Sequence, residues 1–170
     1  VEPNKIKVVP FGANIDNTPS KSLIVKRLEY RNKNTLRILF IGANWFGKGG
    51  DTLLKILKLI NKKGIKTETH IVGSSPKDKV ISLDNIHYHG FISKNTQDGK
   101  RKIEDLYLNS DLFILPTRAE AYGIVFCEAN AYGLPVIAPD IGGIPTIIKD
   151  GVNGYLVSQE DIINNMAEKA

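Results

Sequence analysis

From residue 36 onward, short apolar runs alternate with longer segments that carry their apolar residues at helical spacing. Leu36 to Ile41 reads as a strand. Asp51 to Ile60 carries apolar residues at 53, 54, 56, 57 and 60, one face of a helix. Lys62, Lys63 and Gly64 then supply a basic last turn and a stop. The same reading gives strands at 67–72 and 86–89, a short helix at 102–108, a strand at 111–115 and a helix at 124–132 closed by Gly133. A strand at 135–138, a helical turn at 144–148, a strand at 154–157 and a helix at 160–169 follow. Two polar stretches interrupt the pattern. Residues 14–35 read as an excursion ahead of the first core strand, and 94–101 as a mobile loop.

Alternation of this kind predicts an α/β fold, a Rossmann-like parallel sheet with helices on both faces. Strands buried on both faces account for the continuous apolar runs. In such sheets ligands bind outside the carboxyl ends of the strands. The segments Gly42 to Gly50, Gly73 to Pro76, Gly90 to Ser93, Pro116 to Glu120 and Pro139 to Gly143 each follow a predicted strand. Their shared edge is partly a consequence of alternation. Their content is more informative, because glycines and few bulky side chains make a crevice.

Composition narrows the class. A chain of 170 residues suits one well-cored domain, here 1–170, and 42% hydrophobic with 24% charged residues is globular. The net charge of +5 comes from scattered lysines with no aromatic stacking motif beside them, which is a solvated surface and not a nucleic-acid interface. The single cysteine, Cys127, forms no internal disulfide and fits a reducing, cytoplasmic compartment. No stretch reaches the ~20 apolar residues of a membrane span. The first residues, Val1 to Lys5, lack a starting Met and a signal-peptide core, so the chain is expected to be a piece of something longer.

The candidate chemistry lies in two loops. Lys48 sits among Gly47, Gly49 and Gly50 just before a helix, where unpaired N–H groups and a cation suit phosphate. The spacing is neither a P-loop nor a Gly-x-Gly-x-x-Gly fingerprint, and it leaves a phosphate site and an ordinary capped loop equally open. Glu120 and Glu128 flank Gly123, with Glu128 about 7.5 Å along a helix that begins there, at 1.5 Å per residue. Two carboxylates repel a diphosphate, so sugar hydroxyls are their natural donors. Spacing alone favours plain surface roles for both. His87 and His89 alternate on a strand and share a face, with His70 and Cys127 as the remaining soft ligands; a structural role outweighs zinc. Cys127 reads as a core residue, Asp111 as a structural hydrogen-bonding group, and Trp45 as lining the cleft or covering the sheet edge.

The run Asp111 to Gly143 resembles the signature of retaining GT-B glycosyltransferases of the family 4 type. Glu120 and Glu128 are separated by seven residues, and Glu-Ala-Asn-Ala-Tyr-Gly-Leu-Pro-Val-Ile and Gly142-Gly143 follow. Val8 to Asp16 resembles the family's Val-x-Pro-Asn-Gly-Val-Asp segment at the domain junction. Phe40-Ile41-Gly42 with Lys48-Gly49, Val72-Gly73, Gly90 to Ser93 and Asp150 to Val157 match further elements. The resemblance covers nearly the whole chain.

It implies the C-terminal, nucleotide-sugar-binding domain of a transferase that retains anomeric configuration, with UDP or GDP as the donor nucleotide and polysaccharide biosynthesis as a setting. Glu128 would bind the ribose hydroxyls, and Glu120 would contact the transferred sugar. Backbone N–H groups around Gly123, Ile124 and Val125 would hold phosphate and sugar. Lys48 would neutralise the leaving diphosphate, Gly42 and Gly73 would border the donor, and Ile92 and Ser93 would flank the base. No metal and no cofactor are implied. The acceptor, a glycan or lipid-linked molecule, would sit in an N-terminal domain that this chain lacks, along with the final crossing helix. The longer protein would then work in the cytoplasm, with peripheral membrane association at the inner face. The chain alone is expected to bind donor weakly and to transfer little. One departure stands out: many members carry an Arg after the first strand, where this chain has Ala43. Arg118 is a candidate replacement. A non-catalytic nucleotide-binding module and a nucleotide-sugar epimerase of the same architecture are the competing readings.

Overall fold

In a computed structural model of the chain, which describes residues 2–76 and 85–170, six parallel strands form one sheet in the order β3-β2-β1-β4-β5-β6. They are β1 (Leu36–Gly42), β2 (Thr67–Gly73), β3 (Ile86–Gly90), β4 (Leu112–Ile114), β5 (Val136–Pro139) and β6 (Gly154–Val157). The helices are α1 (Lys21–Glu29), α2 (Gly50–Lys62), α3 (Gln97–Asn109), α4 (Ile124–Ala131) and α5 (Ile162–Lys169). Each expected strand is present within a residue or two of its expected bounds, and the sheet is Rossmann-like.

The inner strands β1, β4 and β5 are central because they are apolar on both sides, whereas β3 and β6 at the edges are partly exposed. Ile38, Leu39 and Phe40 of β1 are fully buried, as are Phe113 and Ile114 of β4 and Val136 to Ala138 of β5. Burying such a side chain contributes about 1.5–3 kcal/mol each. Leu53, Ile56, Leu57 and Ile60 give α2 its buried stripe, and α2 packs with α5 on one face. On the other face Tyr107 of α3 stacks on Tyr132, which caps α4, with ring centroids 5.1 Å apart. Asp111 ties the start of β4 to β1: Arg37 N–H donates to its Oδ2 at 2.8 Å, and Arg31 Nε reaches its Oδ1 at 2.7 Å.

Two expectations are corrected. Residues 21–29 of the supposed excursion are a helix, N-capped by Ser20, whose Oγ accepts from Leu23 N–H. It buries no residue fully; Arg27 anchors it by donating from Nε to Leu108 O at 3.1 Å. The segment expected as a mobile loop at 94–101 holds the first turn of α3, because Thr96 Oγ1 accepts from Gly99 N–H at 3.1 Å and starts the helix five residues earlier than its apolar spacing shows.

Candidate functional site

The strand order reverses between β1 and β4, and this switch point is where an open α/β sheet leaves a crevice at its carboxyl edge. The loop after β1 carries Lys48. The loop after β4 carries Thr117, Arg118 and Glu120 and runs into α4. Gly42 and Gly73 end adjacent strands and are paired in register. The two loops are locked together: Arg118 N–H donates to Gly47 O at 3.0 Å, and Thr117 Oγ1 to the same oxygen at 3.3 Å.

Across this crevice Lys48 Nζ lies 2.6 Å from Glu120 Oε2. Glu120 is further fixed by Gly143, whose N–H donates to the Glu120 carbonyl at 3.4 Å. Gly123 begins α4 with φ 94°, a left-handed conformation, and offers no side-chain cap. The N–H groups of the first turn therefore have no side-chain acceptor, and Ile124 at this end is exposed. The helix start presents partial positive charge between the two glutamates.

Glu128 lies one turn in and is 4% exposed. A buried carboxylate needs partners, and it has two. Tyr107 donates its hydroxyl to Oε2 at 2.9 Å, and Lys94 donates from Nζ to Oε1 at 2.5 Å. Burial, reinforced by the neighbouring carboxylate, holds the Tyr107 phenol well above its ordinary pKa, so it remains a donor. The sequence reading missed both partners, because nothing local marks pairs 21 and 34 residues apart. Ile92 and Ser93 lie in the same β3–α3 loop as Lys94; Ile92 packs against the core, and Ser93 Oγ accepts from Asn95 N–H at 3.2 Å.

Arg118 does not stand in for a cation at Ala43. Its guanidinium grips Asp51 with two bonds of 2.9 and 2.8 Å, donates to Phe46 O and Thr52 Oγ1, and lies 4.0 Å over the Phe46 ring. The pair lowers the Asp51 pKa, chiefly through the hydrogen bond from Arg118, and covers the start of α2. Of the two helix starts at the crevice, that of α4 is thus the more open, and Lys48 is held near it through Glu120.

The remaining candidates fall elsewhere. Trp45 covers the sheet, its ring packed beside Phe40 and Tyr88 and against Gly50. Cys127 is half-buried and not in the core; its thiol lies 3.7 Å from Phe11 O, and burial raises its pKa. His70, His87 and His89 do share a face, with His70 Nδ1 3.0 Å from His89 Nε2. Among the described residues no group of three or more His, Cys, Asp or Glu side chains is placed to hold a metal. Among them, too, no helix is long and apolar enough to cross a membrane.

The sequence profile of the family described as glycosyl transferases group 1 matches residues 35–170. The chain belongs to the group 1 glycosyl transferases. A relative from Klebsiella pneumoniae, described as an uncharacterized 41.2 kDa protein in the cps region, is 32% identical over 164 residues, covering 95% of this chain and 44% of the relative. The D-inositol 3-phosphate glycosyltransferase of Mycobacterium sp. (strain JLS) is 26% identical over 165 residues, 95% of this chain and 38% of that protein. Among solved structures, the pneumococcal O-GlcNAc transferase GtfA in complex with UDP and GlcNAc shares the fold, with a TM-score of 0.70 at 22% identity, covering 91% of this chain and 30% of that one. The chain therefore spans less than half the length of these relatives.

Proposed function

We propose that this group 1 chain holds the nucleotide-sugar donor for glycosyl transfer with retention of configuration. The observation that carries the reading is the pair Glu120 and Glu128 set on either side of the uncapped start of α4, with Lys48 on Glu120. An anion fits the helix start, and hydroxyl donors fit the carboxylates. The diphosphate would lie over the first-turn N–H groups of α4 beside Lys48, the ribose on Glu128 and the transferred sugar on Glu120. The base would lie toward Ile92 and Ser93.

In the reaction the bond from the sugar's anomeric carbon to the diphosphate oxygen breaks. An acceptor hydroxyl bonds to that carbon on the same face, and its proton passes to the departing diphosphate. Lys48 and the α4 N–H groups stabilise the negative charge that grows on the leaving group, with no metal required. Glu120 positions the sugar. The acceptor, a glycan or lipid-linked molecule, would be held by a further region of the longer protein, and the 170 residues alone would transfer little. UDP and GDP are the donor nucleotides to test, since the UDP-bound transferase GtfA shares the fold.

Titration calorimetry with UDP, GDP and their sugars tests the reading. Heat of binding with at least one is the expected result. No binding to any of them at millimolar concentration would overturn it.

A further inference from the structure

The partners of Glu128 leave its carboxylate in a specific state of readiness. An ionised carboxylate has about four lone-pair sites, two on each oxygen. Tyr107 occupies one on Oε2 and Lys94 one on Oε1. One site on each oxygen remains, and two neighbouring acceptors on one rigid group match the two donors of a vicinal diol. A monohydroxyl would leave one of them unfilled.

The two partners are also of different kinds. Tyr107 is 1% exposed and stacked between Tyr132 and Phe113, so its hydroxyl is fixed by the core. Lys94 sits on a loop with a third of its side chain exposed, and its ammonium also reaches Asn14 O at 3.3 Å. An ammonium has three N–H donors. Two are engaged here, and among the described residues the third has no protein acceptor. The Lys94 side chain borders a cavity of about 230 Å³ together with Asp16, Lys100, Glu104 and Tyr132. That third donor is available to an oxygen of whatever lies on Glu128.

We propose that Lys94 and Tyr107 are positioning residues that set Glu128 to accept a cis-diol, and that they thereby make the site select ribonucleotides over 2′-deoxyribonucleotides. The inference rests on the donor-binding reading above. A 2′-deoxyribose offers one hydroxyl, so a buried carboxylate lone pair loses its donor. The loss of a bond to a charged group is about a tenfold or larger loss in affinity. Removing either positioning residue frees the carboxylate to turn, and the penalty for the missing hydroxyl falls.

The test uses whichever of UDP and GDP binds, its 2′-deoxy form, and inorganic pyrophosphate as a probe of the diphosphate site alone. Dissociation constants are measured for the native chain and for Lys94→Met, Lys94→Arg and Tyr107→Phe, with circular dichroism to confirm folding. The native chain should prefer the ribo form by about tenfold or more, the worth of one charge-assisted bond. In Lys94→Met and Tyr107→Phe the preference should collapse, while pyrophosphate affinity stays unchanged. Lys94→Arg should restore it. Lys94 sits on a loop outside the core, so its variants remain informative if Tyr107→Phe fails to fold. An undiminished ribo preference in Lys94→Met, or none in the native chain, overturns this inference and leaves nucleotide binding standing. Absence of nucleotide binding to the native chain overturns the donor reading itself, and this inference with it.

Discussion

Lys48 Nζ and Glu120 Oε2 lie 2.6 Å apart across the switch point of the sheet, one from the loop after β1 and the other from the loop after β4. Neither loop makes the pair alone. Opposite charges thus meet across the crevice, and in the proposed reading a donor would separate them, the cation toward phosphate and the carboxylate toward hydroxyls. Lys48→Met should weaken binding of nucleoside diphosphate by about ten- to a hundredfold, the worth of a lost charge-assisted bond. Calorimetry on the two proteins measures it, and equal affinities would remove Lys48 from the site.

Glu128→Ala should separate the two halves of the ligand. Nucleoside diphosphate affinity should drop by roughly tenfold or more for each hydroxyl bond lost. Affinity for inorganic pyrophosphate should hold, because the carboxylate does not touch the diphosphate in this account. A parallel fall in both would place Glu128 elsewhere.

Gly123 carries backbone strain for any side chain. Its φ is 94°, and an added Cβ would lie 2.4 Å from the Phe126 ring. Gly123→Ala should cost on the order of 1–3 kcal/mol or more, visible as a lower urea midpoint. The same variant should lose pyrophosphate affinity, because the start of α4 shifts. Unchanged stability would show that the helix start is not held as described.

The histidine cluster predicts an acid-sensitive edge. Burial, followed by the nearby His70, holds His89 at a pKa of about 4, and burial with His87 also lowers His70. An unfolded histidine titrates near 6.5. Between about pH 6.5 and 4 the unfolded chain binds more protons than the native one, so stability falls as pH drops through that window and is fully present above it. His89→Gln should flatten this part of the stability profile. Identical profiles for the two proteins would contradict it.

The sheet was legible because its signal is local: buried strands are written as apolar runs such as Leu36 to Ile41, and α2 as a helical stripe. α1 escaped because no residue in it is fully buried; it docks through Ile24 beneath Gly133 and through Arg27 at the end of α3. The first turn of α3 escaped because Gln97 to Lys102 holds no apolar residue, although Thr96 and Asp98 were cap signals to be read. At the site, Glu120 and Glu128 became meaningful through family resemblance, and the structure supplied their partners. Lys94 and Tyr107 had no local signature. Arg118 was near enough in sequence to suggest a role at the diphosphate, yet its guanidinium is spent on Asp51 and Phe46.

If charge on the donor is balanced by Lys48 and the α4 N–H groups alone, exhaustive chelation should leave nucleotide affinity unchanged. Calorimetry in EDTA against added Mg²⁺ or Mn²⁺ reads this directly. A requirement for either ion would overturn the metal-free account.

The most direct test of donor binding is a crystal structure of the chain with a bound nucleoside diphosphate. The account predicts both ribose hydroxyls within hydrogen-bonding distance of Glu128, and the diphosphate over the N–H groups of Ile124 and Val125 beside Lys48. A nucleotide bound at any other edge of the sheet, or with its ribose away from Glu128, would contradict it.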